Sequence, residues 1–362
     1  MFPSCKERGN VNLDLSPRTR GAILGGVIIH FHEPPAAQKI GGLDAAIRSM
    51  EAALQGLGHS VRVNPAEDRE RPDVVHFHGL WQRGHPARAA RARAAGVPVV
   101  VSPHGMLEPW ALGHKRWKKL PYFHFIEKRW LSRAACVLAT AEPEGARLRE
   151  LFPATRIESI PLGLTGDARP DHVAARADLG WRADETVLLY LSRIHEKKGL
   201  DLLISALAGS EKKPNTRLVI VGPDEQPAFT QRCRVLAERH AMSLPRIDWL
   251  GPVWGDERFR YFQGADLFCL PTHSENFGLV VLESLQVGTP VLTTTGTPWG
   301  SLSAPGGYIA EPREDSLQTQ LNRFFKMPIL SPEQRDTIAQ STRTIYHWDS
   351  LGLRYESFYK SL

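Results

Sequence analysis

The sequence predicts an α/β protein with two parallel β-sheets, each covered by helices. Short runs rich in valine, isoleucine and leucine alternate with helical patterns along the whole chain, and this alternation is typical of parallel strands joined by crossover helices. The chain has 362 residues, of which 42% are hydrophobic and 23% are charged. This length and composition fit a globular protein of about two domains. We therefore expect two Rossmann-like domains that face each other across a cleft.

Each predicted strand is a short apolar run, and each predicted helix has apolar residues at helical spacing. The predicted strands are 22–31, 74–78, 98–102, 136–140, 186–192, 217–221, 266–270 and 290–294. The predicted helices between them are 42–57, 116–131, 199–208, 227–240 and 278–287. In residues 160–172 (IPLGLTGDARPDH), proline, glycine and charge replace apolar periodicity, which predicts a linker. The predicted domains are residues 1–165, with a polar leader at 1–20, and residues 166–345.

Positive charge is concentrated in the first half of the chain. Of the net charge of +6, residues 1–165 contribute 23 − 15 = +8 and the remaining residues contribute 22 − 24 = −2. In residues 114–133 (HKRWKKLPYFHFIEKRWLSR), seven Lys and Arg residues are interleaved with five aromatic residues. This segment is either a solvated helix whose aromatic residues face the core, or a surface for an anionic membrane or acceptor. Nucleic acid is not an expected partner, because no RNA- or DNA-binding motif is present.

The apolar stretches are too short to cross a membrane. The longest, residues 22–31, is about half of the ~20 residues that a spanning helix needs. Residues 1–20 carry charge where a secretory signal has its apolar segment, so we expect a cytoplasmic protein, peripheral at the inner membrane face if segment 114–133 binds lipid. The widely separated cysteines predict free thiols rather than disulfides or zinc ligands: Cys5, Cys136, Cys233 and Cys269.

Two glutamates lie eight positions apart in HSENFGLVVLE (273–283), after a predicted strand. We predict that a helix begins near Asn276, so that its free N–H groups and positive dipole end form a phosphate site in the cleft. If the segment were fully helical, Glu283 would lie ~12 Å along the axis from Glu275 and ~80° around it. Both carboxylates would then contact one elongated ligand and accept hydrogen bonds from vicinal hydroxyls. The alternative is a capping acid followed by an acid on the helix surface.

Two cations are predicted at the same edge of the second sheet. In YLSRIHEKKGLDLLI (190–204), Arg193 and Lys198 follow a strand and precede a helix. A forked guanidinium and a point charge beside a helix N-terminus are suited to a diphosphate. An ordinary charged loop is the alternative. The segments 218–226 and 246–253 end further strands of this half, where backbone groups would hold a base.

These motifs resemble those of the family 4 nucleotide-sugar glycosyltransferases, which are retaining enzymes with the two-domain GT-B fold. The resemblance covers about residues 22–360, and its most specific parts are SENFGLVVLESLQVGTPV and SRIHEKKG. Supporting matches are GGLDAAIRSMEAALQGLGHSV, DVVHFHGLW, SPHGMLEPW and ATAEPE. The resemblance implies that the C-terminal domain holds the nucleotide sugar and that the N-terminal domain holds the acceptor. It also implies that the last helix, at 346–362, crosses back to the N-terminal domain.

The resemblance assigns roles to residues at the predicted helix start. Glu275 is expected to contact hydroxyls of the donor sugar, and Glu283 those of the ribose. Asn276, Phe277 and Gly278 are expected to meet the donor mainly through backbone groups. Glu275 would thus be part of the catalytic set, and the other four residues would bind the donor.

The rest of the implied site surrounds the diphosphate and the reacting carbon. Arg193 and Lys198 are expected to neutralise the leaving diphosphate. His104, in SPHG, would hydrogen-bond the donor sugar near the reacting carbon. Gly41 and Gly42 would form a flexible loop that lets the backbone approach phosphate and acceptor.

The resemblance implies front-face substitution with retention, in which a leaving phosphate oxygen takes the acceptor's proton. No cofactor or metal is expected, because the Asp-any-Asp motif of metal-dependent transferases is absent from the sequence. One departure is Leu162 in Pro161-Leu162-Gly163, where the family often has asparagine, so a hydrogen bond near the linker is in doubt. The segment TPWGSL (297–302) fits bacterial saccharide-assembly members without naming the donor.

Other functions stay open. A sugar-nucleotide epimerase shares the fold, and a non-catalytic sugar-nucleotide-binding or scaffold protein would keep the same site. The pairs His30/His32 and His76/His78, together with His104, would form a metal site if they converged. A dinucleotide oxidoreductase is disfavoured, because the first predicted strand is not followed by GxGxxG.

Overall fold

The computed structural model describes residues 26–34, 42–65, 70–113, 116–303 and 306–362. Two parallel sheets of six strands each confirm the predicted α/β class. The predicted leader at 1–20 and Gly41 lie outside the described residues. None of the helices in the described ranges combines the length and apolarity needed to cross a bilayer.

The first sheet has the strand order β2-β1-β3-β4-β5-β6, and every neighbouring pair is parallel. Its strands are β1 (Ile28–His32), β2 (Ser60–Val63), β3 (Val74–His78), β4 (Val99–Ser102), β5 (Cys136–Ala139) and β6 (Ile157–Ser159). The helices of this half are α1 (Gly42–Gly56), α2 (His85–Ala94), α3 (Pro109–Gly113), α4 (Arg116–Tyr122), α5 (Lys128–Leu131) and α6 (Glu142–Leu151). Its buried strands β3, β4 and β5 have apolar side chains that pack into one cluster with the helices.

The second sheet has the order β12-β11-β10-β7-β8-β9 and is also parallel throughout. Its strands are β7 (Thr186–Leu191), β8 (Thr216–Val221), β9 (Arg246–Gly251), β10 (Leu267–Leu270), β11 (Val291–Thr294) and β12 (Gly307–Ala310). The accompanying helices are α7 (His172–Asp178), α8 (Leu200–Ala208), α9 (Pro227–Arg239), α10 (Glu257–Gly264), α11 (Leu279–Gln286), α12 (Glu314–Lys326) and α13 (Pro332–Tyr346). The last helix is α14 (Trp348–Lys360). A short 3₁₀ turn, Glu196–Lys198, precedes α8.

The basic aromatic segment differs from the single helix predicted at 116–131. Helix α4 contains Pro121 and continues into a π-helical turn, Phe123–Glu127, before α5 begins. Proline lacks the backbone N–H that a regular helix needs, so the ladder of hydrogen bonds shifts at this point. The aromatic residues divide: Trp130 is buried, whereas Trp117 is 72% exposed and Phe125 is 66% exposed. Packing of an aromatic ring against the core therefore holds for Trp130 and not for Trp117 or Phe125, and the membrane- or acceptor-binding surface stays a prediction.

Helix α14 packs against the first sheet. Its Tyr355 hydroxyl donates to the carbonyl of Ile160 at 3.3 Å, and its Tyr359 hydroxyl lies 2.7 Å from His76 Nδ1. The Trp348 indole donates to the carbonyl of Leu164 at 2.9 Å. A Cβ atom on Gly163 would lie 2.5 Å from that indole ring, so only glycine fits there. The domain boundaries stay a prediction.

A buried ion cluster joins helices of the second half to β10. The Asp266 carboxylate accepts from Arg176 Nη1 at 3.0 Å and from Arg335 Nη2 at 3.3 Å. It also accepts the backbone N–H of Val187 at 2.8 Å. Burial lowers the pKa of Arg335 to about 10, and the charge of Asp266 opposes that shift. Both guanidinium groups are buried and poorly solvated by water, so the negative charge of the Asp266 carboxylate compensates their positive charge.

Candidate active site

β7 and β10 are neighbouring parallel strands in the middle of the second sheet, so their carboxyl ends lie side by side. We call this side of the sheet its carboxyl edge. The loop after β7 carries Arg193 and Lys198, and the loop after β10 carries Glu275. Open parallel sheets bind ligands at such an edge. The predicted residues therefore reach a common place through the pairing of strands far apart in sequence.

Lys198 and Glu275 form a buried ion pair. The ammonium Nζ lies 2.5 Å from Glu275 Oε1, and both side chains are about nine-tenths buried. The Thr272 hydroxyl donates to the same oxygen at 3.0 Å. Burial acts to raise the pKa of Glu275, but Lys198, Lys197 and the Thr272 hydrogen bond outweigh it and hold the pKa below its usual value. Glu275 is thus a carboxylate, and the ammonium beside it is largely shielded from bulk water.

Lys197 is a second cation at this edge that the sequence analysis did not single out. Burial lowers the pKa of its ammonium, with Glu275 opposing that shift and Lys198 adding to it. The Lys197 carbonyl accepts the N–H of His273 at 2.8 Å, and the Thr272 hydroxyl oxygen lies 2.9 Å from the same carbonyl oxygen. This backbone contact ties the loop after β7 to the loop after β10. A run of two lysines before a glycine was the only signal in the sequence.

Arg193 is turned toward a different partner. Its Nη1 contacts both carboxylate oxygens of Glu225, at 2.6 Å and 2.5 Å, and its side chain is 36% exposed. It is still near enough to lower the pKa of Lys197. Its position after β7 matches the prediction, but a ligand phosphate would have to displace Glu225 to bind its guanidinium.

The predicted helix start near Asn276 is wrong. Helix α11 begins at Leu279, and its N-cap is Gly278 in the left-handed region at φ 77°. Residues 275–278 are bent rather than helical, so the separation expected from a continuous helix between Glu275 and Glu283 does not apply. The cause is Gly278, which allows a turn that a residue with a Cβ disfavours.

Phe277 is a core residue. Its side chain is buried against Trp299, with ring centroids 5.4 Å apart, and its carbonyl accepts the Trp299 indole N–H at 2.5 Å. The carbonyl is therefore already engaged within the protein, and the expected contact between the Phe277 backbone and the donor stays a prediction. Trp299 belongs to the TPWGSL segment, so this segment packs against the residues that precede α11.

Glu283 is buried on α11 and holds two polar neighbours. Its Oε1 accepts the Thr165 hydroxyl at 2.7 Å and Arg258 Nη2 at 2.9 Å. Thr165 lies in the predicted linker and Arg258 lies on α10. Neither residue was identifiable from the sequence, since neither lies in a motif and only the fold places them beside Glu283. Glu275 and Glu283 share no hydrogen-bond partner among the described residues.

The first half of the chain contacts the carboxyl edge of the second sheet through a polar turn at residues 104–105. Asn276 Nδ2 donates to the Thr140 hydroxyl at 2.7 Å, and Thr140 follows β5. Glu144 accepts the N–H of Gly105 at 2.6 Å and the N–H of Thr140 at 2.8 Å, and burial raises its pKa. A Cβ on Gly105 would lie 2.5 Å from Asn276 Cβ. The turn at 104–105 is therefore in direct contact with Asn276.

His104 lies in this turn with a left-handed backbone at φ 51°. Such a conformation is uncommon for a residue with a side chain and is found where the surroundings enforce it. Its Nε2 lies 3.1 Å from His78 Nδ1, and the two rings are stacked with an interplanar angle of 13°. Burial lowers the pKa of His104 to about 4. Its imidazole is therefore neutral near pH 7.

The histidine pairs do not converge on a metal site. Phe31 is paired with His76 and His32 with Phe77, and paired residues of neighbouring strands share a face of the sheet. His76 and His78 therefore lie on the face opposite to His32. Across residues 26–34, 42–65, 70–113, 116–303 and 306–362, no group of three or more His, Cys, Asp or Glu residues is arranged to hold a metal ion.

Gly42 and Trp110 bring two further parts of the first half to the same edge. A Cβ on Gly42, the first residue of α1, would lie 3.1 Å from a methyl group of Leu279. The Trp110 ring stacks on His273 with centroids 5.6 Å apart and an interplanar angle of 6°. Trp110 is 43% exposed, so its other face is available at the rim of the site.

Two family profiles match successive parts of the chain. The profile of the glycosyl transferases group 1 matches residues 172–344, and that of the glycosyl transferase 4-like domain matches residues 66–163. The D-inositol 3-phosphate glycosyltransferase of Mycobacterium avium (strain 104) is 32% identical over 288 residues, which cover 76% of this chain and 66% of that protein. The chain belongs to the family 4 glycosyltransferases.

The alignments of this glycosyltransferase with its curated relatives cover only part of either chain. The D-inositol 3-phosphate glycosyltransferase of Mycobacterium sp. (strain KMS) is 30% identical over 227 residues. That alignment covers 61% of this chain and 51% of the relative, so the chain spans about half the length of that protein.

Solved structures show that this glycosyltransferase has the GT-B fold. Sucrose-phosphate synthase from Thermosynechococcus elongatus superposes with a TM-score of 0.73 at 20% identity, covering 92% of this chain and 98% of the other. HepE from Anabaena, in a structure with UDP and glucose, superposes with a TM-score of 0.72 at 18% identity, covering 93% and 100%. At these identities the likeness concerns the fold alone.

Proposed function

We propose that this glycosyltransferase moves a sugar from a nucleoside diphosphate sugar to a saccharide or lipid-linked saccharide acceptor, with retention and without a metal ion. The observation that carries the proposal is the buried Lys198–Glu275 pair at the carboxyl edge of the second sheet. A desolvated cation stabilises the charge that develops on a leaving diphosphate. The adjacent carboxylate is suited to sugar hydroxyls, which are hydrogen-bond donors.

The donor would extend along the edge from Glu275 to Glu283. Its sugar hydroxyls would bind Glu275, and its diphosphate would lie against Lys198 and the N–H groups at the start of α11. The ribose hydroxyls would bind Glu283, whose two hydrogen bonds within the protein both end on Oε1. UDP is the first nucleotide to test, because HepE has been solved with UDP and with UDP-glucose.

Retention is proposed to follow from front-face substitution. A double displacement of the glycosidase kind needs two carboxylates ~5 Å apart, one of which is the nucleophile. Here Glu275 is held by Lys198 and Thr272, whereas Glu283 is held by Thr165 and Arg258, so the two belong to separate groups. The bond from the anomeric carbon to phosphate would break, and the bond to the acceptor oxygen would form on the same face. A phosphate oxygen would take the acceptor's proton.

The donor site is tested by calorimetry with UDP-, GDP-, ADP- and dTDP-linked sugars, in buffer that contains EDTA. We expect one nucleotide to bind selectively, and EDTA to leave both binding and turnover unchanged. Glu283→Ala should weaken that binding about tenfold to a hundredfold, because hydrogen bonds to a charged group contribute about 1.5–3 kcal/mol. Glu314→Ala, on the exposed first turn of α12, is the matched control.

Three outcomes would contradict this proposal. They are the absence of binding by every nucleotide sugar, binding that Glu283→Ala leaves intact, and turnover that EDTA abolishes. Conversion of the donor without any acceptor would favour the epimerase, and binding without conversion would favour the non-catalytic alternative. D-inositol 3-phosphate, a cyclitol phosphate outside the proposed acceptor class, is the comparison acceptor, because the curated relatives carry it in their names.

The acceptor is proposed to be reached at an anionic membrane surface through α4. Trp117 is 72% exposed, and Lys118 Nζ lies 4.5 Å from its ring centroid. Arg116 is exposed beside them, and Phe125 projects from the following π-helical turn. Exposed aromatic and basic residues on one short segment are typical of proteins that bind the interface of an anionic bilayer.

Vesicle sedimentation tests this surface. The triple variant Arg116→Ser/Trp117→Ser/Lys118→Ser should lose most of its binding to vesicles with anionic lipid, since each basic residue near the surface contributes about 1 kcal/mol. The matched control is Arg182→Ser/Arg313→Ser/Met242→Ser, which removes two exposed arginines and an exposed apolar residue from the second half. Equal binding by the two triple variants would remove membrane association from the proposal.

A further inference from the structure

Trp110 on α3 is an aromatic residue at the rim of the candidate active site, and the proposed donor site does not use it. One face of its ring is covered by His273, with centroids 5.6 Å apart and an interplanar angle of 6°. The side chain is nevertheless 43% exposed, so the opposite face of the ring is open. His273 lies two residues before Glu275, in the loop after β10. The open aromatic face therefore adjoins the loop that carries the proposed sugar-binding carboxylate.

Glu108 is a half-buried carboxylate two residues before Trp110. Its backbone N–H donates to the carbonyl of Gly105 at 3.1 Å. Burial raises the pKa of Glu108, and the charges of Arg147 and Lys197 oppose that shift. Glu108 in turn acts to raise the pKa of Lys197, a cation at the carboxyl edge of the second sheet. Within the part of the chain that the structure describes, no group donates a hydrogen bond to this carboxylate.

An open aromatic face and a carboxylate with free acceptor capacity are together suited to a sugar ring. A pyranose carries C–H bonds on its faces and hydroxyl groups around its rim. The C–H bonds are weakly positive and pack on the negative face of an aromatic ring. The hydroxyl groups are hydrogen-bond donors, which a carboxylate accepts. Both Trp110 and Glu108 belong to the first half of the chain, whereas the proposed donor site lies along the second sheet. A sugar bound here would therefore be the acceptor.

We propose that Trp110 and Glu108 form a subsite for the acceptor saccharide. One face of a pyranose stacks on the open face of Trp110, and a hydroxyl group of the same sugar donates to Glu108. The inference rests on the proposed function, because it places the saccharide acceptor in the same cleft as the donor.

Helix α4 adjoins this subsite. The Lys119 ammonium donates to the carbonyl of Ala111 on α3 at 2.5 Å, so the two helices are joined directly. Trp117, which is 72% exposed, lies on α4 in the proposed membrane surface. The subsite and that surface thus lie on adjoining helices, as a saccharide linked to a lipid would require.

Saturation-transfer difference NMR of the full chain tests the subsite without nucleotide. The probes are the methyl α- and β-glycosides of D-glucose, D-galactose and D-mannose. We expect binding of at least one glycoside, with the strongest saturation transfer to the C–H protons of one ring face. Trp110→Ala should weaken its binding roughly tenfold, and Trp110→Phe, which keeps an aromatic ring, should retain most of it. Absence of transfer to every glycoside, or equal transfer in Trp110→Ala, would overturn the proposal.

Glu108→Leu tests the polar half of the subsite. The change removes the hydrogen-bond acceptor and should weaken glycoside binding roughly tenfold. Glu108→Gln keeps an acceptor oxygen at the same position and should recover part of the loss. Glycoside binding that Glu108→Leu leaves unchanged would overturn the role of the carboxylate.

Trp254→Ala is the control for Trp110→Ala. Trp254 is 68% exposed and follows β9, which β7 and β8 separate from β10. Its replacement should leave glycoside binding as in the wild-type protein. Equal losses in Trp254→Ala and Trp110→Ala would mean that the glycosides stack on any exposed tryptophan, which would contradict a subsite at Trp110.

Donor binding separates this inference from the proposed function. UDP-glucose, or whichever nucleotide sugar calorimetry selects, should bind Trp110→Ala and Glu108→Leu with wild-type affinity. A tenfold loss of donor affinity in Trp110→Ala would assign the ring to the donor site and overturn the proposal. Failure of the wild-type protein to bind any nucleotide sugar would contradict the proposed function alone, because glycoside binding is measured without nucleotide.

Discussion

Replacement of Lys198 by methionine is expected to lower kcat by roughly 10²–10³-fold. Methionine fills the volume of the lysine side chain but removes the cation that would stabilise the leaving diphosphate, and loss of one such electrostatic group costs about that much. It also leaves Glu275 as a buried carboxylate without its partner at 2.5 Å. The measurement is the rate of nucleoside diphosphate release at saturating donor.

Lys213→Met is the matched control for this change. Lys213 follows the C-terminal end of α8, whereas Lys198 precedes its start, and the Lys213 ammonium donates to the carbonyl of Met327. The control should retain its turnover. A Lys198→Met enzyme within threefold of the control would remove the central cation from the proposed mechanism. Loss of nucleotide affinity without loss of kcat would instead assign Lys198 to ground-state binding.

Replacement of Asp266 by asparagine is expected to reduce the free energy of unfolding by about 3–5 kcal/mol. The carboxylate faces the Arg176 and Arg335 guanidinium groups, at 3.0 Å and 3.3 Å, inside the second half. Asparagine keeps the shape and removes the charge, so two buried cations lose the group that balances them. Urea unfolding followed by circular dichroism measures the change. The quantities compared are the urea concentration at the midpoint and the free energy of unfolding extrapolated to water.

Asp184→Asn is the control for Asp266. Asp184 also contacts an arginine, Arg182, at 2.6 Å, but both side chains are exposed to water. Its replacement should leave the midpoint unchanged, because solvent screens such a pair. Equal midpoints for the two variants would mean that the Asp266 cluster does not contribute to stability.

The fold was largely predictable because most strands of both sheets are buried runs of apolar residues. The predicted strands 74–78, 98–102 and 186–192 coincide with β3, β4 and β7 to within a residue. The predicted strands do not include the four edge strands of the two sheets, β2, β6, β9 and β12, of which only β9 was anticipated, through the segment 246–253. β2 and β6 are partly exposed and lack the continuous apolar run, and β12 begins at Gly307, directly after Gly306.

The candidate site was predictable where its residues lie in one motif. Lys198 and Glu275 follow strands that pair in the sheet, so the loop positions implied their meeting. The start of α11 was misplaced, because side-chain preferences favour Asn276 as a cap while the left-handed Gly278 decides where the helix begins. Arg258 was not predictable, because only the packing of α10 on α11 brings it to Glu283.

Because α14 packs on the first sheet, the half of the chain that is synthesised first depends on the last helix to complete its fold. Tyr355, Phe358 and Tyr359 belong to the same buried cluster as Ile29 and Phe31 of the first sheet. A ribosome therefore releases every strand of the first sheet, and α1, long before the α14 residues that complete this cluster. The half that is synthesised first cannot complete its core until α14 emerges, and nascent chains of intermediate length carry an apolar face that α1 covers only in part.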